Sequence, residues 1–271
     1  MSEEPAPGKK FLPVAMSIAG SDSGGGAGVQ MDLRTFSGMG VWGTCALSCV
    51  TAQNPASISA VEVMPPELVR RQMEQVAAYF PLAALKTGIL PNKAIIGEVI
   101  GFLKEHAGIK AVIDPVLTAS SGRALMEKEA LSLLKERLLP LASLITPNLD
   151  EAEALAGVRP THPDEMLPAA IKLQKTFGGP VYLKGGHLDG DCIVDVLVEG
   201  EKNFCQWETE RIPDLNTHGS GCLLSAAITA GLALAYDLKT AVEKGRDHFL
   251  QALHKPLYVS GRKFIGNGGG Q

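Results

Sequence analysis

The sequence predicts an α/β fold built around one mainly parallel sheet, and three observations predict it. Short runs of β-type residues alternate with longer segments whose apolar residues recur every three or four positions, the pattern of βαβ units. Each short run is followed by a Gly, Pro or Asn that can end it. Nothing between them reads as a repeat or as a linker long enough to separate two units, so the elements belong to one domain.

In chain order, strands are expected at 14–19, 44–51, 84–87, 111–114, 143–146 and 181–184. Helices are expected at 66–79, 93–106, 127–138, 149–156, 163–177, 221–235 and 239–253, and another opens after the glycine-rich segment that follows the first strand. From 191 to 211 the pattern changes to two strand-like runs, 193–198 and 203–208, which read as an antiparallel hairpin at one sheet edge. Residues 1–12 and 261–271 read as tails around a folded unit spanning 13–260.

Composition narrows the function. The formal charge of -4 comes from both signs scattered along the chain, so no basic stripe exists for nucleic acid. The five cysteines (Cys45, Cys49, Cys192, Cys205 and Cys222) are odd in number and form no C-x-x-C pair, which argues against a disulfide framework or zinc ribbon and for a reducing, cytoplasmic setting. The polar start lacks the apolar core of a signal peptide. The most apolar run, 222–236, falls short of the roughly 20 residues that span a bilayer, so no membrane is expected as partner.

Ligands of such sheets sit beyond the carboxyl ends of the strands, so the residues just after each strand are the candidates. Segment 20–28 offers N–H groups without β-carbons at a helix start, either as a cradle for a polar ligand or as a tight strand-to-helix turn. It is not a dinucleotide fingerprint, because Val29 stands where the third glycine belongs, and no P-loop motif occurs. The stronger element is Asn216-Thr-His-Gly-Ser-Gly-Cys222. There Gly219 and Gly221 bare successive N–H groups at the head of an apolar helix, an anion hole suited to a phosphoryl group in flight.

Four side chains extend this chemistry, each with an ordinary alternative. Cys222 is either kept as thiolate by the helix dipole, ready to take a proton from an attacking hydroxyl, or is a small buried apolar residue. Asp114 and Glu151 either hold magnesium beside phosphates or merely end a strand and start a helix. Lys184 is placed to meet ATP phosphates unless it is a solvated surface charge. His187 and His218 read as hydrogen-bonded loop histidines, without metal-ligand spacing.

The motifs also occur in a familiar order. Ser17-Ile-Ala-Gly-Ser-Asp22, Gly25-Gly-Ala-Gly-Val-Gln-Met-Asp32, Thr51-Ala-Gln-Asn54, Lys86-Thr-Gly88, Ile113-Asp-Pro-Val116, Ile145-Thr-Pro-Asn148, Glu151-Ala-Glu-Ala-Leu155, Lys184-Gly-Gly-His187 and the 216–222 segment resemble the hydroxymethylpyrimidine/phosphomethylpyrimidine kinases of thiamine biosynthesis, in the ribokinase-like superfamily. The resemblance implies a three-layer α/β/α sandwich, a homodimer, and two successive phosphorylations with ATP and magnesium. The first is of 4-amino-5-hydroxymethyl-2-methylpyrimidine and the second of its monophosphate.

By motif position, the resemblance implies a pyrimidine pocket of Gly20, Ala27, Asp32, Gln53, Ile89 and Val116, with the Gln53 amide and Asp32 carboxylate facing the ring nitrogen and amino group. It implies a nucleotide side of Asn148, Lys184, Thr217, Gly219 and Gly221, and a base at Cys222 where the wider superfamily commonly has an aspartate. Three departures are specific. The first loop reads Ser-Asp-Ser-Gly-Gly-Gly where the family usually has Ser-Asp-Pro-Ser-Gly-Gly, Ile89 stands for a usual methionine, and Ser120 stands where many members carry a lysine. If that lysine holds a phosphorylated substrate, the second phosphorylation is the step affected. A pyridoxal or pyridoxine kinase, or a dual-specificity enzyme, is the alternative within the same branch. A ligand-binding homologue without turnover is disfavoured because the candidate set is complete.

Overall fold

The computed structural model describes residues 11–119, 122–212 and 217–266. Its first half comprises β1 (Val14–Asp22), α1 (Gly28–Gly38), β2 (Trp42–Asn54), β3 (Ser57–Val63), α2 (Pro66–Tyr79), β4 (Leu82–Thr87), α3 (Lys93–Glu105) and β5 (Lys110–Ile113). Then come α4 (Ala130–Leu133), prolonged by a π turn and a 3-10 turn, β6 (Leu144–Ile145), α5 (Leu149–Ala156), α6 (Met166–Phe177) and β7 (Val181–Leu183). The chain continues through β8 (Cys192–Gly200), β9 (Asn203–Glu210), α7 (Ser220–Ala233), α8 (Leu238–His254), β10 (Leu257–Val259) and β11 (Arg262–Phe264).

Nine strands form one sheet in the order β3-β2-β1-β4-β5-β6-β7-β8-β9. It is parallel from β2 to β7 and antiparallel at both edges, where β3 returns beside β2 and the β8–β9 hairpin follows β7. Strand side chains alternate between two cores. Met16, Ile18, Leu85, Ile113, Ile145 and Leu183 pack with residues of α2 to α6, whereas Ala15, Ala84, Val112, Leu144 and Tyr182 pack with residues of α1, α7 and α8. Helices thus cover both faces, giving the expected three-layer sandwich.

Three elements differ from the sequence expectation. β3 was not anticipated, because its half-exposed SISAVEV segment lacks an apolar face; the turn before it is made by the Asn54 side chain, which accepts the N–H groups of Ala56 and Ser57. The strand expected at 143–146 pairs only over Leu144–Ile145. The tail expected from 261 is corrected over 261–266. There Arg262–Phe264 pairs with Leu257–Val259, Ile265 is buried, and the Gly266 N–H donates to the Ala252 carbonyl. Residues 1–10 and 267–271 of the expected tails lie outside the described residues.

The topology places the site. β1 lies between β2 and β4, so successive connections leave it in opposite directions, and the carboxyl ends of β1 and β4 flank the switch point where such sheets hold ligands. α7 crosses this centre, packing on β1, β4 and β5. It is buried on every side from Leu223 to Ala233, and its small residues let α8 approach: a β-carbon on Gly231 would lie 2.9 Å from the Ala241 Cα.

Candidate active site

The first glycine loop is shaped by Asp22, the last residue of β1. Its Oδ1 accepts the Gly24 N–H at 2.7 Å, and its Oδ2 accepts those of Gly26 at 3.0 Å and Ala27 at 2.8 Å. His218 Nε2, from the late loop, lies 3.2 Å from the same Oδ2. Burial works against the carboxylate, but bonds from His218, Gln53 and the loop N–H groups outweigh it and bring its pKa down to about 2. Two glycines are sterically required here. Gly28 has φ +56, and a β-carbon on it would lie 2.3 Å from the Gly20 carbonyl oxygen. Gly219, with φ +83, would place one 1.9 Å from the Gly26 oxygen. The two glycine-rich segments, almost two hundred residues apart in sequence, are therefore in direct backbone contact.

Gly219 is the N-cap of α7, and no side chain caps this helix among the described residues. The Ser220 N–H is used by the Thr217 carbonyl and the Leu223 N–H by that of Gly219, so the N–H groups of Gly221 and Cys222 head the helix as natural partners for an anion. Beside them, a β-carbon on Gly221 would lie 3.6 Å from Lys184 Nζ. That ammonium is 3.0 Å from Asp114 Oδ1 and 3.9 Å from Glu151 Oε2. Burial opposes its charge, but Asp114 and Glu151 hold its pKa above the ordinary lysine value. Lys184 is thus a cation at the site, not a solvated surface charge.

Asp114 ties the strand end to α7. Its Oδ1 also accepts from Thr146 Oγ1 and its Oδ2 from Ser225 Oγ, one helical turn beyond Gly221. Glu151 and Asn148 form a reciprocal capping box on α5, each side chain accepting the other's N–H at 2.8 Å. Burial raises the Glu151 pKa to about 7, with Lys184 lowering and Asp114 raising it. The Asn148 side-chain oxygen is therefore engaged within the fold, and Thr217 is exposed at the rim.

Two expectations are corrected. The helix start does not hold Cys222 as thiolate: burial pushes its thiol up to about 11, against Lys86 and the Gly28 N–H, which favour the anion, and with Asp32 and Asp114, which oppose it. Nor is Asp32 available to a pyrimidine amino group. It is fully buried, with Oδ1 2.8 Å from Lys86 Nζ and Oδ2 accepting from Ser17 Oγ at 2.5 Å. The Asp32 carboxylate serves as counter-ion to a lysine sealed in β4.

The other residues expected around a pyrimidine lie near the carboxyl ends of β1, β2, β4 and β5 and at the start of α1. A β-carbon on Gly20 would lie 2.8 Å from Cys49 Sγ and 3.2 Å from Ile89 Cδ1, so these three share a wall. Half-buried Ala27 starts α1, and half-buried Val116 follows the turn closed by its N–H to the Asp114 carbonyl at 2.9 Å. Gln53 bonds to Asp22 and braces the loop. Sequence reasoning missed Asp22, Lys86 and the part played by His218. The signals were an Asp two residues before a glycine run and a lysine inside an apolar strand, which needs a buried partner. Ser120 and Asn216 lie outside the described residues.

Comparison with known proteins identifies the family of the chain. The family model for phosphomethylpyrimidine kinase matches residues 22–266. A Rhizobium meliloti protein named hydroxymethylpyrimidine/phosphomethylpyrimidine kinase is 41% identical over 259 residues, covering 95% of each chain. The crystal structure of phosphomethylpyrimidine kinase from Clostridium difficile superposes with a TM-score of 0.78 at 38% identity, over 89% of this chain and 99% of that one. An ADP complex of Bacillus subtilis pyridoxal kinase superposes with a TM-score of 0.85 at 34% identity, over 95% and 98%. A chain with these matches along nearly its whole length belongs to the phosphomethylpyrimidine kinase family of phosphotransferases.

Proposed function

We propose that the protein transfers the terminal phosphoryl group of ATP to the hydroxymethyl oxygen of 4-amino-5-hydroxymethyl-2-methylpyrimidine, and then to the phosphate of the product. The observation that supports this reading is the contact of Gly219 with Gly26, which brings the head of α7, with Lys184 Nζ beside Gly221, against the first glycine loop. In the reaction the pyrimidine oxygen bonds to the γ-phosphorus, the bond to the ADP oxygen breaks, and the hydroxyl proton passes to the sulfur of Cys222 in its minor thiolate form. The N–H groups of Gly221 and Cys222 and the Lys184 ammonium meet the charge on the moving group.

The residues present fit a magnesium ion held largely through water. Asp114 and Glu151 are buried carboxylates that repel one another, and Lys184 is the cation between them. When bound, the ion would neutralise phosphate charge. The reading extends to a homodimer in the cytoplasm.

The second reading, phosphorylation of pyridoxal, is favoured by the close superposition on a pyridoxal kinase. Turnover measured side by side on the pyrimidine alcohol, its monophosphate and pyridoxal separates the two. We expect kcat/KM to favour the pyrimidines, and turnover of pyridoxal alone overturns the assignment. A second test addresses the base. Cys222→Ala should lower kcat by about two to four orders of magnitude. Because the thiolate is the minor form below a pKa of about 11, kcat should rise with pH from neutrality in the native enzyme. A flat profile, or a Cys222→Ala enzyme with native turnover, removes Cys222 from the mechanism.

A further inference from the structure

Behind Lys184, on the sheet face covered by α8, lies a charged network that the transfer chemistry does not use. Asp195 of β8 is buried, as are Arg246 of α8 and Tyr182 of β7. Asp195 Oδ2 accepts from Arg246 Nη1 and, at 2.8 Å, from the Tyr182 hydroxyl. Arg246 Nη1 also donates to the Tyr182 oxygen at 2.5 Å, and Nη2 to Thr209 Oγ1 of β9 at 2.9 Å. The guanidinium stands 5.1 Å from the centre of the Trp207 ring. Burying such charges is costly, and apolar side chains of similar volume would fill the space as well. The network's placement suggests what the charges are for.

The remaining oxygen of Asp195, Oδ1, accepts the N–H of Gly185 at 2.8 Å. Gly185 follows Lys184, and Tyr182 stands two residues before it. One carboxylate thus grips the end of β7 on both sides of the lysine. Its reach to the main chain depends on glycine, because a β-carbon on Gly185 would lie 1.9 Å from the Val194 oxygen. From the other side the Lys184 N–H donates to the Pro147 carbonyl at 2.9 Å. The peptide carrying Lys184 is therefore clamped between Pro147 and Asp195, and Asp195 is in turn oriented by groups from α8 and β9.

We infer that Asp195, held by Arg246, is a positioning residue for phosphoryl transfer: it fixes the main chain at Gly185 so that the Lys184 ammonium stands beside the head of α7. The inference rests on the reading that Lys184 meets the ATP phosphates. It makes the β8–β9 hairpin and α8, neither of which contributes a group to the pocket, determinants of nucleotide affinity.

The test is Asp195→Asn in the full chain. A carboxamide offers one acceptor where the site presents the N–H groups of Gly185 and Arg246, so one donor must face another. Displacing a catalytic group by about 1 Å costs on the order of a hundred-fold. We expect kcat/KM for ATP to fall roughly ten- to a hundred-fold on that basis, with KM for the pyrimidine little changed. Tyr182→Phe keeps the Gly185 bond and removes only one of the groups on Asp195 Oδ2, so it should lose thermal stability with a much smaller fall in kcat/KM for ATP than Asp195→Asn. Combining Asp195→Asn with Lys184→Met should cost less than the product of the two single losses, because both act through one ammonium.

A folded Asp195→Asn enzyme with the ATP kinetics of Tyr182→Phe, or fully multiplicative losses, overturns the inference. Should Asp195→Asn not fold, Arg246→Lys decides: its single head group cannot span Asp195 and Thr209, so ATP kinetics at the native value overturn the inference and a selective loss supports it. If Lys184→Met itself keeps native kcat/KM for ATP, the reading of Lys184 fails. If Lys184→Met is impaired while Asp195→Asn is not, the positioning role alone fails.

Discussion

Two lysine–aspartate pairs lie near the head of α7 and do different work. Lys86 and Asp32 are both inaccessible to solvent and paired with one another, and Asp32 also accepts from Ser17. Lys184 and Asp114 form a pair of similar length, yet the lysine keeps 14% of its side chain exposed and stands beside Gly221. The sealed pair cannot bind a ligand, so its charges serve the fold and bias the nearby Cys222 thiol. The open pair leaves its ammonium partly exposed beside the head of α7, where the proposed reaction would bring a phosphate. The residue types are alike in both, but Lys86 lies inside β4 with Asp32 on α1, whereas Lys184 and Asp114 each follow the end of a strand, beside the head of α7.

The largest test of that contrast is on stability. Lys86→Met should destabilise the protein by about 3–5 kcal/mol in chemical unfolding, because it strands the Asp32 charge. Exchanging both partners for apolar residues should recover most of the loss. If Lys86→Met is as stable as the parent, the sealed pair is not a structural element and the comparison breaks. Next comes activity. Lys184→Met should lower kcat by about two to three orders of magnitude, the scale of losing one charge-stabilising donor, while costing less stability than Lys86→Met. The reverse pattern would mean that the roles of the two pairs have been exchanged.

The smallest effect sharpens the comparison through pH. Glu151, beside the open pair, has its folded pKa raised from 4.5 to about 7, chiefly by burial. The folded state therefore holds this proton more tightly than the unfolded chain. The resulting stability is fully present below 4.5 and is lost as pH rises through about 7. Glu151→Gln removes the titration, so the native protein's stability relative to that variant should decline across this window in chemical-unfolding curves at stepped pH. A constant difference would mean that Glu151 ionises in the fold as it does in water.

Much of this was legible in the sequence. The strand and helix periods of β1, β4, β5, α3 and α6 are set by apolar spacing that burial enforces, so they could be read directly. The position of Gly219 and Gly221 at the head of a buried helix was legible because a glycine-rich turn leads into an apolar run, whereas the burial of Lys184 was not, because most lysines are solvated. Asp32 was misread because its partner, Lys86, is 54 residues away, and periodicity does not reveal which charges meet across a sheet. The Cys222 thiol was misjudged for a related reason: the dipole of its helix is local and visible, whereas desolvation depends on α1 packing over it. β3 and the β10–β11 hairpin escaped because short, exposed, antiparallel strands are held by main-chain pairing rather than by an apolar face.

The contact of Gly219 with Gly26 bears on how this enzyme can change. Any side chain at Gly219 must displace the opposing main chain, so almost every codon change there is closed to drift or to directed evolution. Ile89 and Val116 are under no such constraint. New substrates should therefore be acquired by remodelling those walls, with the phosphate end inherited unaltered.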